Sequence, residues 1–147
     1  MYLFYGCRRS SEDFLYKNEW PAYEAELDGK FKMLTAFSRE MIKADGSKTY
    51  VQDLLWDERS KIAPLILEKR AYVYICGDAH SMSKAVEGRL SQMLAEVKGG
   101  KPEDGAKELK LLKDRNVSQD KGSNSKERNA ERITLTRLQR LMTDVWS

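Results

Sequence analysis

The chain has 147 residues, 41% hydrophobic and 33% charged, a size and composition typical of one globular domain that buries a core. No apolar stretch approaches the roughly 20 residues that span a bilayer, and the N-terminus has no signal-peptide pattern, so we expect no direct membrane contact and no secretion. Two cysteines far apart in sequence argue against a disulfide framework and indicate a reducing, cytoplasmic compartment.

The net charge of +3 comes from one polar segment. Residues 116–140 contain six Lys or Arg and three Asp or Glu, and the rest of the chain is neutral. A nucleic-acid-binding domain carries its basic residues as a patch on a folded face. The sequence therefore predicts no nucleic-acid partner.

Apolar residues predict that strands and helices alternate. A strand is predicted over residues 2–6, a helix over 11–27 behind a Ser N-cap, and a second strand over 31–37. Residues 50–69 carry a helical pattern that is interrupted or restarted near Pro64.

The second half continues the alternation. Residues 71–76 form a continuous apolar run, typical of a strand buried on both faces. Residues 81–97 and 102–113 predict two amphipathic helices, the second with Pro102 in its first turn. The expected fold is α/β, a doubly wound, mostly parallel sheet with helices on both faces.

Residues 116–139 break this pattern because they are rich in Ser, Asn, Lys and Glu, a composition typical of a disordered insertion. A genuine extended loop and a translated intron are both open explanations. Val117-Ser118 can be encoded by GTGAGT or GTAAGT, a 5′ splice signal. Leu135-Thr136 can contain the branch-point sequence CTGAC or CTAAC, and Gln139 can be the CAG of a 3′ splice site.

A polar group follows the second predicted strand. Ser38 and Arg39 come directly after an apolar stretch, at the carboxyl end where open α/β sheets bind ligands. A hydroxyl and a guanidinium suit a doubly charged oxyanion such as the 2′-phosphate of NADPH. Lys48, Tyr50 and Gln52 would add an ammonium group, a phenol and an amide. A solvated polar loop is the alternative.

Cys76, Gly77 and Asp78 end the third predicted strand and open the next helix. The glycine permits close approach of the backbone to a ligand, and Asp78 or the helix N-terminus can orient its polar groups. The alternative is that Cys76 is a small buried hydrophobic residue. Neither a GxGxxG nor a Walker motif is present, and a single histidine, His80, without a Cys-x-x-Cys motif predicts no metal site.

Four blocks, in this order, resemble the NADP-binding half of the diflavin reductases, within the ferredoxin–NADP reductase-like family. They are GCRRSSEDFLY at residues 6–16, AFSRE and KTYVQ within 36–52, YVYICGDAHSMSKAV at 72–86, and the ending DVWS at 144–147. The resemblance is strongest to the NADPH–haemoprotein reductases. It implies that residues 1–147 are a partial NADP-binding domain, incomplete at the N-terminus and interrupted by 116–139.

The resemblance implies which residues contact the coenzyme. The 2′-phosphate and adenosine would be bound by Ser38, Arg39, Lys48, Thr49, Tyr50, Val51 and Gln52. The remainder of NADP would be contacted by Arg8, Asp78 and Met82. Met82 is alternatively only a core residue, and the alternative for Arg8 is a surface ion network formed with Arg9, Glu12 and Asp13. The spacer before Lys48 is longer than in the family, and Ala85 replaces an acidic residue.

The resemblance also implies the catalytic residues. Cys76 and Asp144 would lie beside the nicotinamide and steer hydride transfer, and Trp146 would cover the flavin ring of FAD. A Trp so close to a chain end is alternatively held by ordinary packing.

The implied activity is that of an NADPH-dependent flavoprotein oxidoreductase. In the complete enzyme, hydride would pass from NADPH to FAD, and electrons onward through FMN to a haem-protein acceptor. The expected partners are the FAD- and FMN-binding domains and that acceptor, at the cytosolic face of the endoplasmic reticulum. The isolated chain is expected to catalyse little. Another diflavin reductase, of the sulfite or methionine-synthase type, and a non-catalytic truncated interaction module stay open as alternatives.

Overall fold

The computed structural model describes residues 1–76, 81–120 and 132–137. The elements in these residues are, in chain order, β1 Tyr2–Cys7, α1 Trp20–Glu26, β2 Lys32–Phe37, α2 Val51–Asp57, α3 Arg59–Leu67, β3 Tyr72–Cys76, α4 Met82–Val97, α5 Pro102–Asp120 and β4 Arg132–Arg137.

The described strands form one sheet in the order β2-β1-β4-β3, and every pairing is parallel. The register aligns Cys7 with Phe37, and Thr136 of β4 with both Tyr5 and Cys76. Since parallel strands end at the same edge of a sheet, the last residues of β1, β2 and β3 lie along one carboxyl edge. The α/β fold with a parallel sheet is confirmed.

The main core lies between one face of this sheet and helices α2 to α5. Its members come from every layer: Phe4 and Ala36 from the sheet, Leu55 from α2, Ile62 and Ile66 from α3, Leu90 and Leu94 from α4, and Leu112 from α5. Burial of large aliphatic and aromatic side chains contributes about 1.5–3 kcal/mol each. This core therefore fixes the positions of the helix N-termini that meet the carboxyl edge.

The opposite face of the sheet is covered by the loop that follows β1. Side chains alternate along a strand, so Tyr5 lies on the face opposite to Phe4, where its ring packs 5.2 Å from that of Phe14. Phe14 in turn contacts Phe37 at 5.4 Å between ring centroids. Short loops that pack on their own aromatic side chains hold the chain in place without regular structure.

The predicted helix over residues 11–27 is wrong in its first half. The structure forms a helix only from Trp20, with Pro21 in its first turn. Tyr16 has a φ of 57°, in the left-handed region, and a right-handed helix cannot pass through such a residue. Phe14, one of the apolar residues that suggested helical spacing, instead packs from this loop against Tyr5 and Phe37 of the sheet.

The helical pattern over residues 50–69 does break, but at Glu58 rather than at Pro64. Glu58 has a ψ of 9°, which turns the chain between α2 and α3, and Pro64 lies inside α3. The Glu58 carboxylate accepts hydrogen bonds from Lys32 at 3.1 Å and Lys61 at 2.9 Å. These two bonds lower the pKa of Glu58 and tie the turn to β2.

The expectation that residues 71–76 are buried on both faces is wrong. Strand β3 lies at the edge of the described sheet, and only Val73 within it is buried. Tyr74 is 44% exposed and Cys76 is exposed. An apolar run marks a strand that can be buried, but its exposure depends on which elements cover it.

The structure has regular elements at both ends of residues 116–139, where the sequence predicts a disordered insertion. Helix α5 continues to Asp120, and Arg132–Arg137 forms β4 between β1 and β3. Within β4 the sequence alternates Ile and Leu with Thr, a period of two with β-branched residues that suits a strand. Residues 121–131 lie outside the described residues. Within the described ranges, no helix has the length and apolar character of a membrane span.

Candidate functional site

A cavity of about 230 Å³ opens at the carboxyl edge of the sheet. Its wall includes the end of β1 and the residue after β2, and it continues to the first residues of α2 and α4. The lining residues are Gly6, Cys7, Ala36, Ser38, Tyr50, Val51, Gln52, Ser81, Met82 and Ala85. Ligands of parallel α/β sheets bind outside the carboxyl ends of the strands, so this is the candidate site.

The cavity brings together five of the residues predicted from the sequence: Ser38, Tyr50, Val51, Gln52 and Met82. Ser38 is fixed by the Cys7 carbonyl, which accepts its backbone N–H at 3.0 Å and its hydroxyl at 3.4 Å. Val51 and Met82 are buried. Met82 also belongs to the core, so the core interpretation of this residue is confirmed and its contact with a coenzyme stays a prediction.

The three basic residues of the predicted site do not line the cavity but are close in sequence to residues that do, namely Cys7, Ser38 and Tyr50. Arg8 and Arg39 follow β1 and β2, and the Arg39 N–H donates to the Arg8 carbonyl at 3.0 Å. Lys48 lies in a hairpin that leads to Tyr50. All three side chains are exposed. Thr49, also predicted, does not line the cavity, and its N–H donates to the Met41 carbonyl at 3.0 Å.

No carboxylate among the described residues neutralises these three cations. Among the described residues, none of Arg8, Arg39 and Lys48 has a carboxylate within 4.0 Å. The surface ion network expected for the GCRR block involves only Arg9, which lies 3.6 Å from Glu12. Three unpaired positive charges at one edge of the sheet favour an anionic ligand.

Sequence reasoning missed Cys7 as a wall of the cavity. Burial raises the pKa of its thiol to about 11, and the nearby carboxylates of Asp13 and Glu40 add to the shift. The thiol therefore stays neutral and lies 3.5 Å from the Arg9 carbonyl, its hydrogen-bond acceptor. The one sequence signal that could have identified Cys7 was the apolar, β-prone run before it, which predicts that Cys7 lies at the end of a strand.

The other predicted residues separate into two groups. Cys76 ends β3 at the same edge as Cys7, is exposed rather than buried, and does not line the cavity. Asp78, Asp144 and Trp146, and the single histidine His80, lie outside the described residues. In the part of the chain that the structure describes, no group of three His, Cys, Asp or Glu side chains could hold a metal ion.

Comparisons with known proteins agree with this geometry. Residues 1–88 match the oxidoreductase NAD-binding domain family. The chain is 63% identical over 116 residues to a protein of Phanerodontia chrysosporium named NADPH–cytochrome P-450 reductase. Proteins of that name from Aspergillus niger and Saccharomyces cerevisiae are 42% identical over 113 residues and 40% identical over 111.

These matches cover 76–78% of this chain but only 15–16% of each relative. The chain therefore spans a small part of the length of the proteins it resembles. The resemblance inferred from the sequence blocks is confirmed.

Proposed function

The chain belongs to the oxidoreductase NAD-binding domain family, and from that premise we propose that it is the NADPH-binding part of a longer NADPH–haemoprotein reductase. The observation that carries the proposal is the cavity at the carboxyl edge, together with Arg8, Arg39 and Lys48, which are close in sequence to its lining and have no carboxylate within 4.0 Å among the described residues. A sheet edge of this kind binds nucleotides in many α/β proteins.

The cations distinguish NADPH from NADH. The 2′-phosphate of NADPH is a doubly charged oxyanion, and arginine binds such groups through two parallel N–H···O bonds. Arg39 is proposed to bind this phosphate with the Ser38 hydroxyl, and Lys48 to add a third positive or polar contact. Arg8, hydrogen-bonded through its carbonyl to Arg39, is proposed to bind the linking phosphates.

The cavity suits the adenosine portion of the coenzyme. Sites for whole small molecules usually measure about 300–1,000 Å³, and about 230 Å³ accommodates only part of a dinucleotide. Tyr50, which is 36% exposed, offers a ring face on which adenine can stack, and the Gln52 amide offers polar contacts. Thr49 precedes Tyr50 in the chain, and Val51 lies between Tyr50 and Gln52. Met82 forms an apolar wall of the cavity.

The nicotinamide would extend along the edge of the sheet toward the end of β3. When bound in the complete enzyme, NADPH supplies hydride to FAD, and FMN carries electrons onward to a haem protein. Cys76 is proposed to position the nicotinamide, and Asp78 to orient its polar groups. Asp144 and Trp146 are proposed to steer transfer and to cover the flavin, roles taken from the family resemblance.

The remaining features of the complete protein follow from the same proposal. Its partners would be the FAD- and FMN-binding domains and a haem-protein acceptor, on the cytosolic face of the endoplasmic reticulum. The complete domain is proposed to be doubly wound, and helices α2 to α5 on one face of the sheet would form one of its two helical layers. We propose that residues 1–147 are a partial domain, and that the insertion expected over residues 116–139 contributes the end of α5 and strand β4 to it.

Binding of 2′-AMP to the purified chain, measured by isothermal titration calorimetry, tests the phosphate site. Arg39→Ala is expected to weaken binding about 10- to 100-fold, because a hydrogen bond to a charged group contributes about 1.5–3 kcal/mol. Arg9→Ala is the matched control, since Arg9 is already paired with Glu12, and its effect should be below about threefold.

The ligand 5′-AMP separates phosphate position from general attraction. The unmodified chain should bind 2′-AMP more tightly than 5′-AMP, and Arg39→Ala should abolish this preference. Equal binding of 2′-AMP by the unmodified chain and Arg39→Ala would refute the assigned site.

A further inference from the structure

The segment between Arg39 and Tyr50 is an ordered hairpin. Ile42 and Lys48 form an antiparallel bridge, and the Thr49 N–H donates to the Met41 carbonyl at 3.0 Å. The N–H of Lys43 and the carbonyl of Ser47 close the next pair at 2.8 Å. Residues 41–49 are called the arm below, and they connect the end of β2 to the start of α2.

The tip of the arm is closed by its own side chains. The Asp45 carboxylate accepts hydrogen bonds from the backbone N–H and the hydroxyl of Ser47, at 2.9 Å and 2.6 Å. These bonds lower the pKa of Asp45. Gly46 has a φ of 81°, which the turn requires and which other residues adopt with strain. The arm therefore holds its shape without a hydrophobic core, and Ile42 within it is 68% exposed.

One residue outside the arm ties it to the cavity. The Asp53 carboxylate contacts the Lys43 ammonium at 2.8 Å through Oδ1 and accepts the backbone N–H of Tyr50 at 2.9 Å through Oδ2. Its side chain is only 13% exposed, so the ion pair is less screened than one on an open surface. A single carboxylate thus connects the arm to the residue where the cavity wall begins.

Proposed binding residues lie at or next to the two ends of the arm. Lys48 precedes Tyr50 by two positions, and Arg39 precedes Met41 by two. A rotation of the arm about its ends would therefore displace Lys48 and Tyr50 relative to Ser38. The ion pair between Lys43 and Asp53, at the start of α2, opposes that rotation.

We propose that Asp53 and Lys43 are positioning residues that, through the arm, hold Lys48 and Tyr50 for a 2′-phosphorylated adenosine. This inference rests on the proposed function. Neither positioning residue touches the phosphate. Their effect is to keep the two binding side chains in one arrangement before the ligand arrives, which reduces the entropy lost on binding.

Two conservative substitutions test the proposal, again by calorimetric titration with 2′-AMP and 5′-AMP. Lys43→Met keeps the length of the side chain and removes its charge. Asp53→Asn keeps an oxygen that can accept the Tyr50 N–H and removes the charge that holds Lys43. Each is expected to weaken 2′-AMP binding about three- to fivefold and to weaken 5′-AMP binding less, because 5′-AMP also stacks on Tyr50 but has no 2′-phosphate for Lys48 to contact. The double variant should be no weaker than Asp53→Asn, since the two residues act through each other.

The sign of the Asp53→Asn effect separates positioning from simple attraction. Removing a negative charge beside a phosphate site strengthens phosphate binding if only Coulomb forces act. Weaker binding is expected if Asp53 holds the arm. Lys98→Met is the matched control, because Lys98 pairs with Glu108 at 2.7 Å at the opposite end of α4, and it should change neither affinity.

The outcomes distinguish this inference from the proposed function. If the unmodified chain shows no preference for 2′-AMP over 5′-AMP, both are overturned. If Arg39→Ala abolishes the preference while Asp53→Asn binds 2′-AMP equally or more tightly, only the arm proposal is overturned. Urea unfolding midpoints of both variants, compared with that of Lys98→Met, show whether a loss of affinity accompanies a loss of fold, and an affinity loss fully explained by unfolding would also overturn it.

Discussion

The hydroxyl of Tyr5, in the middle of the sheet, donates a hydrogen bond to the Asp13 carbonyl in the following loop at 3.0 Å. The same oxygen accepts the Leu15 N–H at 3.3 Å, and burial raises the pKa of Tyr5. Tyr5→Phe removes both bonds and leaves two half-buried backbone groups without this partner. We expect the free energy of unfolding, measured in urea, to fall by about 1–3 kcal/mol.

A second tyrosine provides the comparison. The Tyr23 hydroxyl bonds to Glu19 at 3.0 Å on the surface of α1, where water can replace it. Tyr23→Phe should change the free energy of unfolding by less than about 0.5 kcal/mol. Equal losses in the two variants would show that the loop after β1 is not held by Tyr5.

The contact between α4 and α5 depends on Gly105. A Cβ atom there would lie 2.0 Å from the Ser91 carbonyl oxygen and 2.9 Å from the Cβ of Ala95. Real side chains do not approach this closely, so Gly105→Ala must push the two helices apart. We expect it to lower the free energy of unfolding by about 1–3 kcal/mol, as measured in urea, although alanine favours helices.

Gly88 is the matched control because it lies inside α4 with no heavy atom within 4 Å of the position of an added Cβ. Gly88→Ala should stabilise the protein by about 0.4–1 kcal/mol through the lower entropy of the unfolded chain. We therefore expect the free energy of unfolding to fall in Gly105→Ala and to rise in Gly88→Ala. A stabilising Gly105→Ala would contradict the close helix contact.

The hydrophobic pattern of the sequence was sufficient to predict those strands and helices whose buried residues recur with the period of a strand or a helix. The strands that became β1 and β2 and the helix that became α4 were predicted within about two residues, since each has an apolar face that packs on the main core. Helix α1 and strand β4 were not, because Tyr16 adopts a left-handed conformation and β4 lies within a polar stretch. Both depend on tertiary context, which overrides propensity.

In the candidate site too, some residues could be predicted from the sequence and others depend on tertiary contacts. Ser38 and Tyr50 could be predicted because residues after parallel strands and before helices share one edge of the sheet. Asp53 could not, since its role depends on a hairpin bringing Lys43 to within 2.8 Å of it. Nor could the sequence distinguish Arg9, which is paired with Glu12, from Arg8, which has no carboxylate within 4.0 Å among the described residues.

The central position of β4 gives a backbone prediction. Thr134 aligns with Leu3 on one side and Tyr74 on the other. Proline cannot donate to a sheet ladder and is excluded from central strands. Thr134→Pro should therefore lower the free energy of unfolding in urea by at least about 1–3 kcal/mol, the cost of an unsatisfied buried backbone group. Thr134→Ala should cost less than about 1 kcal/mol. If both variants unfold at the same urea concentration, Arg132–Arg137 is not a central strand.

The origin of residues 117–139 is a separate prediction, decided in DNA. The intron hypothesis expects GTGAGT or GTAAGT at Val117-Ser118, CTGAC or CTAAC within Leu135-Thr136, and CAG at Gln139. It further expects transcripts that lack these codons. Genomic codons without the splice sequences would leave a genuine extension of the chain as the explanation.

The two cysteines should differ in reactivity. Cys76 is exposed, whereas Cys7 is buried and its pKa is raised to about 11. At pH 8 only about 0.1% of Cys7 would be thiolate, the form that reacts. We expect a thiol reagent such as 5,5′-dithiobis(2-nitrobenzoic acid) to modify one equivalent quickly and the second only on unfolding. Cys76→Ser should remove the fast phase, and Cys7→Ser should retain it. If Cys7→Ser removed the fast phase instead, Cys7 would not be the buried thiol.

The raised pKa of Cys7 also sets the direction of a pH dependence. In the unfolded chain the thiol ionises near its ordinary pKa of 9.0, and in the folded chain only near 11. The unfolded state therefore binds fewer protons between these values, and the free energy of unfolding should fall as pH rises from 9 to 11. Below pH 9 this contribution is fully present. Cys7→Ala removes the ionisable group, so its urea midpoint should depend less steeply on pH in that window. An unchanged slope would mean that Cys7 ionises equally in both states.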